Sequence, residues 1–231
     1  GKWLNGGQTC IAPDYLLVSE TSRNAFVDAL RANVQERFPT IAGNPDYTSI
    51  VNDGQYRRLR SYLDEARARG VQVIELVDCD RTRADAERLV PPTLVIDPPD
   101  DLALMREEIF GPILPVKGYR TLDDAIAYIN AHPRPLALYH FDNDRARVRR
   151  MLDRTVAGGV TINDTVMHYA QDRLPFGGVG PSGMGSYHGH DGFLAFSHRK
   201  SVLRQARLSS MALFKPPYRG LADRLVKFLT R

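Results

Sequence analysis

The sequence predicts an α/β fold with a largely parallel β-sheet, and three observations favour it. Apolar segments typical of strands alternate with segments of helical periodicity between residues 14 and 163. Parallel strands need such crossover helices, so the alternation indicates βαβ units. The chain has 231 residues, enough for one large domain or two small ones. Its 43% hydrophobic and 25% charged residues are ordinary for a globular protein.

The strands are predicted from short apolar runs rich in β-branched residues. The first lies at about residues 14–18, where apolar residues recur in APDYLLVSE. The run LVPPTLVID is entered through two prolines, and ILPV is predicted as a buried strand. The predicted strands after the first lie at 71–77, 89–97, 113–116, 136–141 and 158–163.

The helices are predicted from apolar residues at helical spacing and from capping signals. Residues 21–38 place an apolar residue at every fourth position from 26 to 38, and Thr21 or Ser22 can cap them. A second helix is expected to stop at Gly70, because glycine is typical of helix C-termini. The other predicted helices lie at 121–132 and 142–155.

The carboxyl-terminal part of the chain differs in character from the rest. Residues 196–208 resemble an isolated extended segment, and residues 209–220 resemble a linker. The last segment, 221–231, has Leu221, Leu225, Phe228 and Leu229 on one helical face. Such a helix docks on the core or on a partner subunit, or lies on a membrane surface.

The bulk composition argues against several classes of protein. The net charge is +4, and the basic residues form no stripe interleaved with aromatic residues, which argues against nucleic-acid binding. No apolar run approaches the roughly 18 residues of a membrane helix, and no signal peptide is recognisable. With two cysteines, Cys10 and Cys79, free thiols in a reducing cytoplasmic setting are expected, although one disulfide remains an alternative.

Cys10 ends the segment NGGQTC and is the first candidate for chemistry. Gly6 and Gly7 allow a tight turn, after which a thiol can point into a cleft and its backbone N–H can face a developing oxyanion. The alternatives are inert packing, half of a disulfide, a metal ligand or a nucleophile. Cys79 lies near a predicted strand end and is interpreted as structural.

A glycine-rich stretch, residues 173–193, contains two further patterns. Gly178, Gly180 and Gly183 match G-x-G-x-x-G, but Pro181 interrupts the pattern and the segment stays rich in glycine and aromatic residues beyond it. We therefore reject a dinucleotide-binding fingerprint and predict a loop that lies flat against another surface. His188 and His190 form an H-x-H pair without a nearby cluster of ligands, so they are interpreted as loop histidines rather than as a metal site.

The segment MREEIFGPILPV, residues 105–116, leaves two interpretations open. It can be a helix end that runs into a buried strand. Alternatively, Glu107 or Glu108 accepts hydrogen bonds from the hydroxyls of a ligand while Phe110 packs on a flat ring.

Taken together, these segments resemble the aldehyde dehydrogenase superfamily. NGGQTC, EEIFGPILPV and PFGGVGPSGMG occur in its order and at its approximate spacing. TCIAPDYLL, TINDTVMH, GMGSYHGHDGF and FSHRKSVL resemble its class 3 branch, especially the coniferyl aldehyde dehydrogenases. The resemblance implies an open sheet with helices on both faces and a catalytic domain at 1–196. It also implies an oligomerisation strand at 197–210 and a linker with an amphipathic helix at 211–231.

The resemblance implies a role for each site residue. Cys10 matches the catalytic thiol, whose thiolate adds to an aldehyde and gives a thiohemiacetal and then a thioester. Glu108 matches the glutamate that holds the nicotinamide ribose hydroxyls, and Phe110 matches the aromatic residue beside the nicotinamide. The candidate residues of the substrate channel are Asn163, Thr165, His168, Tyr169 and Phe176.

The resemblance also implies that this chain is the catalytic half of a longer protein. In the family, the cofactor domain, the glutamate general base and the asparagine of the oxyanion hole lie upstream of the cysteine. We therefore expect NAD or NADP to be bound mainly by that domain, and the chain alone to be inactive. The expected partners are an aromatic or long-chain aldehyde, the cofactor domain and a second copy in a homodimer.

Two other functions remain open at this point. A cysteine acyltransferase or hydrolase would need a histidine partner for Cys10, and His168 and His188 are the candidates. A non-catalytic dimerisation module would use the C-terminal strand and helix.

Overall fold

The computed structural model describes residues 1–207, 215–216 and 220–230, which belong to two compact units. The first unit is residues 1–195, and the second is residues 196–231. The first unit has the α/β fold predicted from the alternating segments.

The first unit opens with a short 3-10 helix at Leu4–Gly7. Its strands are β1 (Leu16–Ser19), β2 (Gln72–Glu75), β3 (Thr93–Ile96), β4 (Ile113–Tyr119), β5 (Ala137–His140) and β6 (Gly159–Ile162). Its helices are α1 (Arg23–Arg37), α2 (Asp53–Ala68), α3 (Arg81–Glu87), α4 (Ala103–Arg106), α5 (Leu122–Ala131), α6 (Arg145–Arg154) and α7 (Gly189–Ala195). The described part of the second unit contains α8 (Leu221–Leu229).

The strands form two sheets, and most of their pairings are parallel. The main sheet has the order β1-β4-β3-β2, with β4 parallel to both of its neighbours. β2 pairs antiparallel with β3. β5 and β6 form a separate parallel pair. The prediction of a largely parallel sheet is therefore confirmed, with one antiparallel strand at the edge of the main sheet.

Helices cover both faces of the main sheet, as the alternation along β3 shows. Val95 belongs to one apolar cluster together with Leu59 of α2. Leu94 and Ile96 pack in a second cluster together with Val34 of α1. Because neighbouring residues of a strand point to opposite faces, the two clusters lie on the two sides of the sheet. The loop that contains the candidate residues Glu108 and Phe110 leads directly into β4, which begins at Ile113.

Several local predictions are confirmed and others are wrong. Thr121 forms a capping box with Asp124 at the start of α5, and Gly70 follows the end of α2 with φ +72°. Ser22 occupies the N-cap of α1 but makes no capping hydrogen bond through its side chain. The helix α3 was not predicted, because Ala84 is its one buried residue and no apolar periodicity marks it. The interpretation of His190 as a loop histidine is wrong, because this residue belongs to α7.

In the second unit, α8 lies inside the helix predicted at 221–231. Residues 197–207 form no strand in the single chain, and Phe196, Val202 and Leu203 expose most of their apolar side chains. Residues 208–210 of the predicted oligomerisation strand and most of the predicted linker lie outside the described residues, so these boundaries stay predictions. Within the described ranges, every helix is too short or too polar to cross a membrane.

Candidate active site

Cys10 follows a turn that only a glycine-rich sequence can form. Asn5, Gly6 and Gly7 all have positive φ angles, of 51°, 60° and 74°. A Cβ atom on Gly7 would lie 2.3 Å from the carbonyl oxygen of Gly111, so a side chain has no room there. The turn ends with Cys10 exposed to solvent. The sequence NGG therefore presents the thiol at the surface and brings the turn against residue 111.

The side chain of Gln8 fastens the same turn to a second loop. Its amide nitrogen donates to the carbonyl oxygens of Asn5, at 3.0 Å, and Ser49, at 3.1 Å. Its amide oxygen accepts from the N–H of Val51 at 2.9 Å. Through these three hydrogen bonds, Gln8 connects the turn that precedes Cys10 to the loop that precedes α2.

Asp14 joins the cysteine segment to the segment that contains Glu108. Its Oδ1 atom accepts a hydrogen bond from the N–H of Ile109 at 3.0 Å. From the other side, Arg58 of α2 donates to the carbonyl oxygens of Glu108, at 3.1 Å, and Ile109, at 2.6 Å. The structure thus brings Glu108 and Phe110 beside the Cys10 turn, although about a hundred residues separate them in sequence.

The two neighbouring glutamates have different surroundings. Glu107 accepts a hydrogen bond of 2.6 Å from the hydroxyl of Tyr62, which in turn accepts one from Arg58. No hydrogen bond reaches the carboxylate of Glu108 from the residues that the structure describes. Desolvation raises the pKa of Glu108, and the charge of Asp14 raises it further, whereas Arg58 and Lys2 oppose the rise. Of the two, Glu108 is the carboxylate that is free to accept a ligand.

Phe110 stands next to Glu108 in a conformation that exposes part of its ring. Its φ angle is +48°, which is uncommon for an aromatic residue. The side chain is 38% exposed. Hydrogen bonds hold the backbone of the preceding residue, Ile109, and the contact with Gly7 holds the following residue, Gly111. These interactions stabilise the strained conformation of Phe110.

Aromatic side chains connect the Cys10 turn to the predicted substrate channel. The hydroxyl of Tyr139 in β5 donates to the carbonyl oxygen of Ile11 at 2.7 Å. Its ring lies 6.0 Å from the ring of His168, and His168 lies 5.8 Å from Phe176. Tyr169 packs edge-to-face on Phe176 at 5.2 Å. Three of the five predicted channel residues are therefore in one aromatic cluster that begins at the cysteine segment.

His168 is buried within this cluster and held by one hydrogen bond. Its Nδ1 lies 2.8 Å from the hydroxyl of Thr161. Its Nε2 is buried without a hydrogen-bond partner among the described residues, and the ring lies directly against Gly159. Burial lowers the pKa of His168 and favours its neutral form.

The remaining two predicted channel residues have structural contacts. Asn163 bridges the ends of β5 and β6: its amide oxygen accepts from the N–H of Asp142 at 2.8 Å, and its amide nitrogen donates to the carbonyl oxygen of Asp142 at 3.1 Å. Thr165 lies against Gly1, where a Cβ atom would be 2.4 Å from the threonine hydroxyl. Their assignment to a channel stays a prediction.

The glycine-rich loop packs against its own backbone. A Cβ atom on Gly178 would lie 2.0 Å from the carbonyl oxygen of Ser182, and Gly180 and Gly183 form a β-bridge. A Cβ atom on Gly158, just before β6, would lie 2.3 Å from the carbonyl oxygen of Gly177. The glycines therefore close a tight turn and allow it to pack at the start of β6, which accounts for them without a nucleotide.

Cys79 lies against an apolar cluster, and the two histidines of the H-x-H pair lie around the start of α7. Cys79 is free and half-buried against the apolar cluster of α1, and desolvation raises the pKa of its thiol. Cys10 is also free. His190 belongs to α7, and His188 precedes that helix with φ +85°. Across the described ranges, no group of three or more potential ligand side chains could hold a metal ion.

Four residues that contribute to the site were not identified from the sequence: Lys2, Asp14, Arg58 and Tyr139. Their partners lie on other elements, so no local pattern marks them. A weak signal existed for Asp14, because a carboxylate at the entrance of an apolar strand needs a hydrogen-bond donor.

The fold and the site together define an α/β protein with an exposed thiol beside an acidic and aromatic segment. The chain belongs to the aldehyde dehydrogenase family: the model of that family matches residues 1–202. The resemblance inferred from the sequence motifs is therefore confirmed.

Individual relatives agree with this assignment. The chain is 53% identical over 221 residues to the "Probable coniferyl aldehyde dehydrogenase" of Caulobacter vibrioides, a match that covers 94% of this chain and 46% of that protein. It is 45% identical to the coniferyl aldehyde dehydrogenase of Pseudomonas sp. strain HR199, again over 94% of this chain and 46% of that protein. The substrate-bound state of Staphylococcus aureus AldH aligns with a TM-score of 0.80 and 42% identity, over 99% of this chain and 48% of that one. The chain spans less than half the length of these relatives.

Proposed function

We propose that this chain is the cysteine-bearing catalytic domain of an NAD(P)-dependent aldehyde dehydrogenase that oxidises an aldehyde to a carboxylic acid. The observation that carries the proposal is the contact between the Cys10 turn and the segment of Glu108 and Phe110, made through Gly7 and Asp14. Thiol chemistry on an aldehyde needs the thiol and the cofactor close together, and such positioning contributes several orders of magnitude to a rate.

Glu108 and Phe110 fit the nicotinamide end of a dinucleotide. The carboxylate of Glu108 accepts no hydrogen bond from the described residues, so it can accept hydrogen bonds from two ribose hydroxyls. The exposed part of the Phe110 ring can pack on a flat heterocycle. When bound, the cofactor supplies the acceptor for the hydride that leaves the substrate carbon. The rest of the cofactor would be held by another domain, and the choice between NAD and NADP lies with that domain.

Cys10 carries the covalent steps of the proposed reaction. Its thiolate adds to the carbonyl carbon, a C–S bond forms, and the electron pair of the C=O bond moves to oxygen. When the C–H bond of this thiohemiacetal breaks, the electron pair departs with the hydrogen, the C=O bond re-forms and Cys10 is left as a thioester. Water then adds to the thioester carbon and loses one proton to solvent, the C–S bond breaks with its electrons returning to sulfur as a thiolate, and a carboxylic acid is released.

The aromatic cluster behind the Cys10 turn suits a flat or long apolar substrate. The ring of His168 lies 6.0 Å from that of Tyr139 and 5.8 Å from that of Phe176. Burial lowers the pKa of His168 and so favours its neutral form, which suits an apolar channel. We therefore propose an aromatic aldehyde of the coniferyl type or a long-chain aldehyde as the substrate class, which agrees with the names of the relatives.

The purified 231-residue chain is expected not to oxidise aldehydes on its own. The reason is that the general base and the cofactor domain are expected to lie upstream of these residues. The loss of a general base alone lowers a rate about 10²–10⁴-fold. The measurement is the formation of reduced cofactor with an aromatic aldehyde and NAD⁺ or NADP⁺. Robust turnover that disappears in Cys10→Ser would contradict this expectation while supporting the catalytic role of Cys10.

The hydrolase alternative has less support from the geometry. It requires a histidine that accepts the proton of Cys10, yet no hydrogen bond joins Cys10 to a histidine within the described residues. His168 is engaged by Thr161 on one nitrogen and covered by Gly159 on the other. Among the described residues, the buried Nδ1 of His188 has no hydrogen-bond partner, and the ring packs in the aromatic cluster.

We further propose that the chain forms a homodimer through residues 197–210. The exposed apolar side chains of Val202 and Leu203 support this, because they are free to pack on a partner. Deletion of residues 197–231 is expected to convert a dimer into a monomer, as measured by sedimentation velocity. A dimer that survives the deletion would place the interface elsewhere.

A further inference from the structure

The exposed thiol of Cys10 belongs to a tight turn formed by residues 9–12. The N–H of Ala12 donates to the carbonyl oxygen of Thr9 at 3.0 Å, which makes Cys10 and Ile11 the two central residues of this turn. Cys10 is exposed, whereas Ile11 is only 5% exposed. One central residue is therefore packed into the protein and the other lies at the surface, so the position of the thiol depends on how firmly Ile11 is held.

The hydroxyl of Tyr139 holds this turn from a neighbouring strand. It donates to the carbonyl oxygen of Ile11 at 2.7 Å, although 128 positions separate the two residues in sequence. Tyr139 lies in β5, where it is paired with Thr161 of β6. Burial raises the pKa of Tyr139 to about 12, so its hydroxyl keeps its hydrogen near neutral pH. A strand of the fold thus supplies the donor that fastens the buried half of the turn.

The same side chain also contacts the aromatic cluster. Its ring lies 6.0 Å from that of His168, which in turn lies 5.8 Å from that of Phe176. In the part of the chain that the structure describes, no other hydrogen bond reaches the carbonyl oxygen of Ile11. Tyr139 therefore connects the turn that carries the thiol to the cluster proposed to receive the substrate.

We propose that Tyr139 is a positioning residue for Cys10: by holding the carbonyl oxygen of Ile11, its hydroxyl fixes the 9–12 turn so that the thiol stays beside the aromatic cluster. The proposal rests on the proposed function, because it takes an aldehyde as the group that Cys10 attacks. Tyr139 acts through the main chain, since its hydroxyl hydrogen is already used by Ile11. Holding a nucleophile in place lowers the entropic cost of its addition to a bound carbonyl group.

Tyr139→Phe tests whether the hydroxyl fixes the turn, because it removes the hydrogen bond and keeps the ring that packs on His168. Hydrogen exchange of the Ala12 amide, followed by NMR in the whole chain, reports the opening of the turn, since this N–H is bonded inside it. The loss of one hydrogen bond is expected to speed this exchange about two- to tenfold. An unchanged exchange rate would overturn the proposal.

Tyr47→Phe is the matched control. The hydroxyl of Tyr47 also donates to a main-chain carbonyl oxygen, that of Val90, at 2.6 Å. Its ring packs in the apolar cluster that contains Val34 of α1. This variant is expected to lose stability against urea as Tyr139→Phe does, while the exchange of the Ala12 amide stays unchanged. Equal acceleration in both variants would show that the exchange follows global unfolding, and the proposal would fail.

The addition of an aldehyde supplies a readout on the thiol itself. In a Cys79→Ala background, Cys10 is labelled with iodoacetamide at increasing concentrations of benzaldehyde. Tyr139→Phe is expected to raise the benzaldehyde concentration that halves the labelling rate about two- to tenfold, because the thiol is no longer held in position. The rate without benzaldehyde is expected to stay nearly the same, since Cys10 is exposed and a small reagent needs no fixed orientation. A Tyr139 that serves stability alone would leave the halving concentration unchanged, which would also overturn the proposal.

These outcomes separate the two proposals. If benzaldehyde does not slow labelling in the unchanged chain, the proposed function fails, and the exchange of the Ala12 amide still decides whether Tyr139 fixes the turn. Conversely, benzaldehyde protection of Cys10 together with an unchanged Ala12 exchange in Tyr139→Phe would leave the proposed function standing and remove the role of Tyr139.

Discussion

Cys10→Ala is expected to remove the fast phase of iodoacetamide labelling from the chain and to lower the initial rate at least about tenfold. The reason is that thiolates react with this reagent only where they are accessible. Cys10 is exposed, whereas Cys79 is half-buried and desolvation raises the pKa of its thiol. An aromatic aldehyde at high concentration is expected to slow the fast phase in the unchanged chain, because it converts the thiolate into a thiohemiacetal.

Cys79→Ala is the matched control, since it removes the other thiol and is expected to leave both the fast phase and its protection by aldehyde intact. His168→Ala addresses the hydrolase alternative, and unchanged labelling across pH would speak against a Cys10–His168 pair. A fast phase that persists in Cys10→Ala would show that Cys79 is the reactive thiol. The proposed function would then fail.

Gly7→Ala is expected to destabilise the chain by about 3 kcal/mol or more and to separate the Cys10 turn from residues 107–111. Two costs add: an alanine at φ +74° is strained by about 1–2 kcal/mol, and its Cβ would lie 2.3 Å from the Gly111 carbonyl oxygen. A main-chain atom cannot move aside as a flexible side chain can, so the turn itself must shift. The measurement is the free energy of unfolding from urea titration.

Gly70→Ala separates the two costs. Gly70 has almost the same φ angle, +72°, but a Cβ atom there would meet nothing within 4 Å. This variant is expected to show the backbone strain alone, about 1–2 kcal/mol. Equal losses of stability in Gly7→Ala and Gly70→Ala would show that the contact with Gly111 is unimportant.

Local signals in the sequence predicted most of the elements. Thr121 with Asp124 marked the start of α5, and Gly70 marked the end of α2, because capping bonds and positive φ angles involve residues close in sequence. The helix α3 escaped prediction because burial of a single alanine, Ala84, leaves no periodic pattern. The predicted position of the N-cap of α1 is confirmed at Ser22, although the side chain of Ser22 makes no capping hydrogen bond.

The candidate site was predictable in part. Motif resemblance predicts Cys10, Glu108 and Phe110 as site residues, and in the structure these residues lie in adjoining segments. The same resemblance predicts that Asn163 is a channel residue; its amide joins Asp142 to the end of β6, and its place in a channel stays a prediction. A motif records which residue types recur, and it does not record which of them bind a ligand and which of them hold the backbone.

The sequence by itself determined the family, the alternation of strands and helices, and the glycine turn before the thiol, since each of these depends on residues near one another in the chain. Only the tertiary structure decided that Lys2 is buried, that Asp14 holds Ile109 and that Tyr139 reaches the cysteine segment. The physical reason is that burial and hydrogen bonding of a polar side chain depend on which distant segments surround it, and those partners are fixed when the sheet and its loops come together.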